Sequence, residues 1–172
     1  HRGASDSRTS YRSRWPTIPH ALRREDLALL PKAFKQAAEA HRRQRRRSGE
    51  PYIFRPIAVA TIVATQMSLD ATAIASALLH DVVEDTDVTL EDIEREYGPT
   101  IARIIDGLTK ISGISDSNVS VQAENFRKML ITISNDIRVI LIKLADRLHN
   151  MQTMGAMIRQ KQQKIASETL YI

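Results

Sequence analysis

Asp70-Ala71-Thr72-Ala73-Ile74-Ala75-Ser76-Ala77-Leu78-Leu79-His80-Asp81-Val82-Val83-Glu84-Asp85 is the stretch on which the reading of this chain turns. Ile74, Ala77, Leu78 and Val82 recur at helical spacing, which predicts an apolar helix from Asp70 to about Asp85. Its C-terminal end changes character. His80 and Glu84 are neighbours at i,i+4, and so are Asp81 and Asp85, so two adjacent rows present one imidazole and three carboxylates toward one edge. Carboxylates packed together repel unless something positive holds them. A divalent metal bound through imidazole nitrogen and carboxylate oxygen is one answer. A solvated acidic helix end with a satisfied histidine is the other, and this segment alone leaves both open.

Outward from that helix the pattern stays helical. Leu27, Leu30, Phe34, Ala37, Ala38 and His41 place a helix over about Arg24 to Arg46, with Pro31 expected to kink or split it. Ser48-Gly49-Glu50-Pro51 breaks the pattern. Pro56 suits a first helical position and opens a helix through Thr65. Thr89-Leu90-Glu91-Asp92 reads as a capping-box start for a short helix ending at Gly98, and another helix follows from Pro99 to about Ile111. Ser112 to Ser120 reads as a loop. Helices over Val121–Ile133 and Asp136–Met154 are separated at Ser134-Asn135, and a last one begins near Arg159. The expectation is an all-α domain of about eight helices over 21–172, after a polar tail over 1–20. Because the end at Ile172 carries no cap or stop signal, we expect the natural polypeptide to continue.

Composition narrows the function classes. The 172 residues are 42% hydrophobic and 26% charged, a globular balance. Every apolar run is interrupted by Lys, Asp or Arg well short of the roughly 20 residues that a membrane helix needs. The chain has no cysteine, which excludes disulfides, zinc ribbons and thiol nucleophiles and makes a reducing cytoplasm the expected location. No Gly-rich phosphate loop occurs. A net charge of +5 is compatible with a nucleotide, a nucleic acid or mere solubility.

Two further segments carry chemistry. Ile137 to Leu144 is apolar almost all round, which predicts deep burial for the helix that continues into Asp146. A carboxylate there needs a cation, and on this segment alone a buried ion pair with Lys143 or an arginine elsewhere is the better reading than a metal. Asn150 and Thr153 follow one and two turns later on nearly the same face. The third segment, Arg42-Arg43-Gln44-Arg45-Arg46-Arg47-Ser48, offers guanidinium forks suited to phosphate oxygens and to stacking on bases. A solvated helix end and nonspecific nucleic-acid binding are the competing readings, and the scarcity of aromatics argues against a single-strand platform.

Taken in order, Arg46-Arg47-Ser48-Gly49-Glu50-Pro51-Tyr52-Ile53, His80-Asp81-Val82-Val83-Glu84-Asp85-Thr86, Asp106-Gly107-Leu108-Thr109-Lys110, Glu124 to Leu130 and Asp136 to Met151 resemble the N-terminal HD hydrolase domain of the RelA/SpoT family. The resemblance spans roughly Ala21 to Ile172. It implies Mn²⁺-dependent hydrolysis of the 3′-pyrophosphate of (p)ppGpp, guanosine tetra- or pentaphosphate, to GDP or GTP. By motif it implies His80, Asp81 and Asp146 as metal ligands, and Glu84 with Asp85 as the pair that activates the attacking water. It also implies Arg46, Arg47, Ser48, Asn150 and Thr153 as nucleotide contacts. C-terminal synthetase and regulatory domains are the implied partners, with no membrane contact and no direct DNA binding.

One position departs from the family pattern. The first metal histidine of the family precedes a proline, and here that place in Pro51-Tyr52-Ile53-Phe54-Arg55-Pro56 holds Arg55. A guanidinium only donates and stays protonated, so it cannot ligate a cation. His41 or a water is a candidate to fill the gap. Two functions follow: a hydrolase working with three protein ligands, or a hydrolase-inactive domain that binds guanine nucleotide or regulates, with Arg55 filling the cation's position.

Overall fold

The structure, a computed structural model, describes residues 26–112, 124–128, 130–131 and 135–153. The expected tail, the loop over 113–120 and the helix from Arg159 lie outside the described residues. Six helices have defined bounds: α1 (Asp26–Ala40), α2 (Phe54–Thr65), α3 (Ala71–Asp85), α4 (Leu90–Tyr97), α5 (Pro99–Ser112) and α6 (Arg138–Gln152). Residues 124–128 and 130–131 are also helical. Among the described residues the only strand-like pairing is a single antiparallel bridge between Arg45 and Pro51, so the chain is all-α as the sequence predicts.

α3 is the centre of the fold. Asp70 caps it, its carboxylate accepting from the Ala73 amide at 3.0 Å. Every residue from Ala73 to Val82 is buried, and the many alanines let neighbouring helices approach closely. α1, α2 and α5 pack directly on α3, α4 packs on α5, and α6 lies across α2 and α5. Leu79, Val59, Val63, Ile104, Ile105 and Ile142 are fully enclosed where these helices meet.

Several ends follow local chemistry read from the sequence. Thr89 and Asp92 form a reciprocal capping box at the start of α4. Gly98 adopts φ +90°, a left-handed value that favours glycine, and turns the chain directly into Pro99 of α5. Arg138, at the start of α6, reaches both Asp136 and the capping residue Asp70 at 2.9 Å, pinning α6 to the start of α3.

Three expectations need correction. α1 is not split by Pro31, which lies inside it. That residue is little more than a turn from the helix start, so the missing donor orphans one carbonyl, that of Leu27. α1 ends at Ala40 and does not reach Arg46. Continuing it would stack five guanidinium groups at i,i+3 and i,i+4 spacing. α6 buries one face and not its whole circumference: Val139, Ile142 and Ala145 are enclosed, whereas Ile137, Leu144, Leu148 and Met151 are exposed.

Candidate functional site

The segment from His41 to Tyr52 is a compact loop. Tyr52 donates its amide to the Gln44 carbonyl at 3.0 Å, and the Arg46 amide to the Glu50 carbonyl at 2.9 Å. At its tip, Gly49 donates to the Arg46 carbonyl with φ +86°, closing the turn that carries Arg47 and Ser48. The arginines therefore project from a turn and not from a helix face; Arg47 and Ser48 are exposed and Arg46 is half-buried.

Two side chains fasten this loop across the ends of two helices. Gln44 Nε2 donates to the Asp85 carbonyl at 3.1 Å, at the C-terminus of α3. Arg46 Nη1 lies 3.4 Å from His149 Nε2, near the C-terminus of α6. His41 is buried beneath them, with Nδ1 2.6 Å from Gln44 Oε1 and its ring 4.7 Å from that of Tyr52. The candidate substitute ligand is thus used to hold the loop.

Beneath the loop lie the acidic residues. His80, Asp81, Asp146 and Asn150 are all buried, brought together because α3 and α6 both pack against α2. His80 Nδ1 donates to the Ala77 carbonyl at 2.7 Å, and Nε2 lies 3.0 Å from Asp81 and 4.0 Å from Asp146. Burial opposes a charge on His80, but Asp81 and then Asp146 outweigh it and lift its pKa to about 9. Burial would likewise raise the pKa of Asp81. His80, Arg55 and the Tyr52 hydroxyl, which donates at 3.1 Å, instead hold it well below the usual carboxylate range. Lys143, also buried, lies 3.7 Å from Asp146 and donates to Ser112 at 2.9 Å.

Arg55 enters this cluster from the first turn of α2. Nη1 donates to Asn150 Oδ1, Nη2 donates to Asp146 Oδ1, and Nε stands 3.5 Å from Asp81 Oδ2. Burial works against the guanidinium charge, yet Asp146 and Asp81 more than compensate and raise its pKa. The oxygens that a divalent ion would need are already engaged by a fixed cation. Among the described residues no group of three or more His, Cys, Asp or Glu side chains is arranged to hold a metal. With Arg55 in this position the donor set does not fit a divalent ion, because the ion would meet a permanent positive charge at hydrogen-bond range of its own ligands.

The remaining residues named from sequence fall around the same cluster. Glu84 and Asp85 are exposed at the end of α3. Although the residue as a whole is exposed, desolvation of its carboxyl group and the nearby Asp81 raise the Glu84 pKa. Thr153 ends α6 and donates its hydroxyl to the His149 carbonyl at 3.0 Å. Tyr52, Gln44, His149 and Lys143 complete the constellation. Tyr52 and His149 lie inside the quoted motifs, but nothing in their spacing reveals that one reaches Asp81 and the other Arg46.

Comparison with known proteins identifies the family of this chain. Residues 33–172 match the HD domain family. The chain is 51% identical over 146 residues to a GTP pyrophosphokinase rsh of Brucella melitensis, covering 84% of this chain and 19% of that protein. It is 50% identical over 137 residues to a guanosine-3′,5′-bis(diphosphate) 3′-pyrophosphohydrolase of Haemophilus influenzae, covering 79% and 20%. This chain therefore spans about a fifth of the length of the curated relatives it matches. A solved structure described as a metazoan ortholog of SpoT that hydrolyzes ppGpp superposes with a TM-score of 0.62 at 26% identity, covering 83% of this chain and 84% of that one. No helix among the described residues is long and apolar enough to cross a membrane. The chain belongs to the HD domain family, in the branch of the RelA/SpoT proteins.

Proposed function

We propose that this domain receives a guanosine 3′,5′-bis(diphosphate), ppGpp or its pentaphosphate analogue, at the mouth formed by the arginine loop and the C-terminal ends of α3 and α6. We further propose that hydrolysis of its 3′-pyrophosphate is impaired here by Arg55. The observation that carries the reading is the double fastening of the loop, Gln44 to Asp85 and Arg46 to His149, which sets cationic forks over an acidic, buried cluster. A polyphosphorylated guanosine suits such a mouth: Arg46 and Arg47 offer bidentate donors to phosphate and planar faces to the base, and Ser48 offers a hydroxyl. Asn150 and Thr153, at the C-terminal end of α6, are the further contacts of this reading. In this reading Glu84 and Asp85, exposed at the end of α3, orient or accept a proton from water, and the raised Glu84 pKa supports Glu84 as the base. The reaction of the family relies on a divalent ion, Mn²⁺ in the implied chemistry, and the residues present do not fit one.

Two relatives named above carry pyrophosphokinase or pyrophosphohydrolase titles, and the match covers only 19% and 20% of their length. On that basis we propose that the domain works beside synthetase and regulatory domains, in the cytoplasm that its lack of cysteine suits. Isothermal titration of the chain with ppGpp and with GDP, in chelator and again in Mn²⁺, tests the reading together with a pyrophosphate-release assay. Tighter binding of ppGpp than of GDP in both buffers, with little pyrophosphate released, is expected. Equal affinity for the two nucleotides overturns the substrate class, and turnover with Mn²⁺ at a rate typical of enzymes, about 1 s⁻¹ or more, overturns the impairment.

A further inference from the structure

We propose that Arg55 is the resident cation of this site: its guanidinium holds Asp81, Asp146 and Asn150 together in place of a divalent ion, so the site assembles and stays assembled without metal. The inference concerns how the site is held and stands whatever ligand the mouth takes.

Geometry carries it. The three oxygens that Arg55 addresses, Asp146 Oδ1, Asn150 Oδ1 and Asp81 Oδ2, come from α6 and α3, and Arg55 itself from α2. One side chain therefore ties three helices at a single point, as a bound ion would. Its contacts are spread over all three guanidinium nitrogens, so none of the charged fork points to solvent for lack of a partner. The side chains of Arg55, Asp81 and Asp146 are only 16%, 7% and 7% exposed, and two buried carboxylates this close require a compensating charge. Lys143 supplies some of it from the far side of Asp146, at 3.7 Å, and reaches Ser112 as well. Among the described residues the cations facing Asp81 are Arg55 and His80. The ordinary alternative is an arginine that swings outward on its flexible stem and yields the carboxylates to an ion.

Metal content and thermal stability separate the two. The chain is purified, dialysed against Mn²⁺ and then against metal-free buffer, and its manganese measured by mass spectrometry. Melting temperatures are recorded in chelator and in Mn²⁺ for the chain, for Arg55→His, which restores a ligand, and for Arg55→Met, which keeps an unbranched apolar stem and removes the charge. The chain should retain no stoichiometric manganese and melt at the same temperature in both buffers. Arg55→His should gain a metal-dependent rise of about 5–10 °C at a metal concentration near 100 times its Kd. Arg55→Met should melt several degrees lower than the chain in chelator. About one manganese retained per chain, or a fall in melting temperature when chelator replaces Mn²⁺, overturns the proposal. So does an Arg55→Met variant as stable in chelator as the chain itself. Should Arg55→His fail to fold, the metal content of the unmodified chain still decides.

Discussion

Replacing Asp146 with alanine tests the electrostatics of the site from the opposite side. Its carboxylate stands between two buried cations, accepting from Arg55 Nη2 through one oxygen and facing Lys143 at 3.7 Å through the other. At an effective dielectric of about 20, one pair at roughly 4 Å is worth about 4 kcal/mol of Coulomb energy, from which the cost of drying both partners is subtracted. Removing one partner of such a pair strands the other, and breaking a buried pair costs about 3–5 kcal/mol. Here Arg55 and Lys143 lose a partner and His80 a nearby counter-charge, while Asn150 and Asp81 still hold Arg55, Asp81 still holds His80 and Ser112 still holds Lys143, so a loss of about 3 kcal/mol is expected. In a chain of this size that lowers the melting temperature by roughly 6–12 °C. Urea unfolding followed by circular dichroism gives the free energy directly, and Asp146→Asn, which keeps an acceptor, should lose less. The loss should be equal in chelator and in Mn²⁺. A loss below about 0.5 kcal/mol, the scale of an ordinary surface substitution, would refute the reasoning, because it would mean the cations are relaxed into solvent.

Other outcomes follow from the same structure. Leu79, fully enclosed in α3, should cost about 2–5 kcal/mol on truncation to alanine, read from the shift of the urea midpoint at unchanged slope. Asp136 accepts hydrogen bonds from the Arg138 side chain and amide, which hold its pKa below the ordinary value of 3.8. Its contribution to stability is thus fully present above about pH 4 and is lost as acid protonates it; Asp136→Asn should flatten the acid limb of a stability-against-pH curve measured by urea unfolding, and an unchanged limb would exclude that origin. Arg46→Ala should weaken ppGpp binding by at least tenfold in titration calorimetry and leave the melting temperature within about 2 °C, since the side chain is half-buried and, among the described residues, its hydrogen-bond partner is His149 alone.

What the sequence reveals here is uneven for physical reasons. Helix positions are legible because alanine, leucine and isoleucine recur at 3.6-residue spacing, and caps such as Asp70 and the Thr89–Asp92 box act over a few residues. The arginine segment is misread as a helix end because propensity favours helix, whereas the repulsion among five guanidinium groups and the pairing of Gln44 with Tyr52 decide for a loop. The need of Asp146 for a cation is legible from its apolar neighbours. That Arg55, 91 positions away, meets it depends on how α2 packs against α6, which no local pattern encodes. The same holds for Tyr52 on Asp81 and for Arg46 on His149.

The substitution at position 55 also separates two consequences that motif matching merges. The acidic helix end with Glu84 and Asp85 and the loop with Arg46 and Arg47 depend on the fold, and both are in place. Cation binding depends on lone pairs directed at one point, and one guanidinium removes that condition without disturbing the rest. Under the proposed function, nucleotide binding and hydrolysis would then be separable, the first resting on the loop and the second on the cation position.

The most direct measurement of the central claim compares pyrophosphate release from ppGpp, with saturating Mn²⁺, by the chain and by Arg55→His. With Arg55 in the cation's place, the chain should release little above background and the variant should turn over at least a hundredfold faster, a gain of about 2.7 kcal/mol in transition-state stabilisation. Equal rates for the two proteins, both well above background, would show that the guanidinium yields its place to metal and would contradict the account.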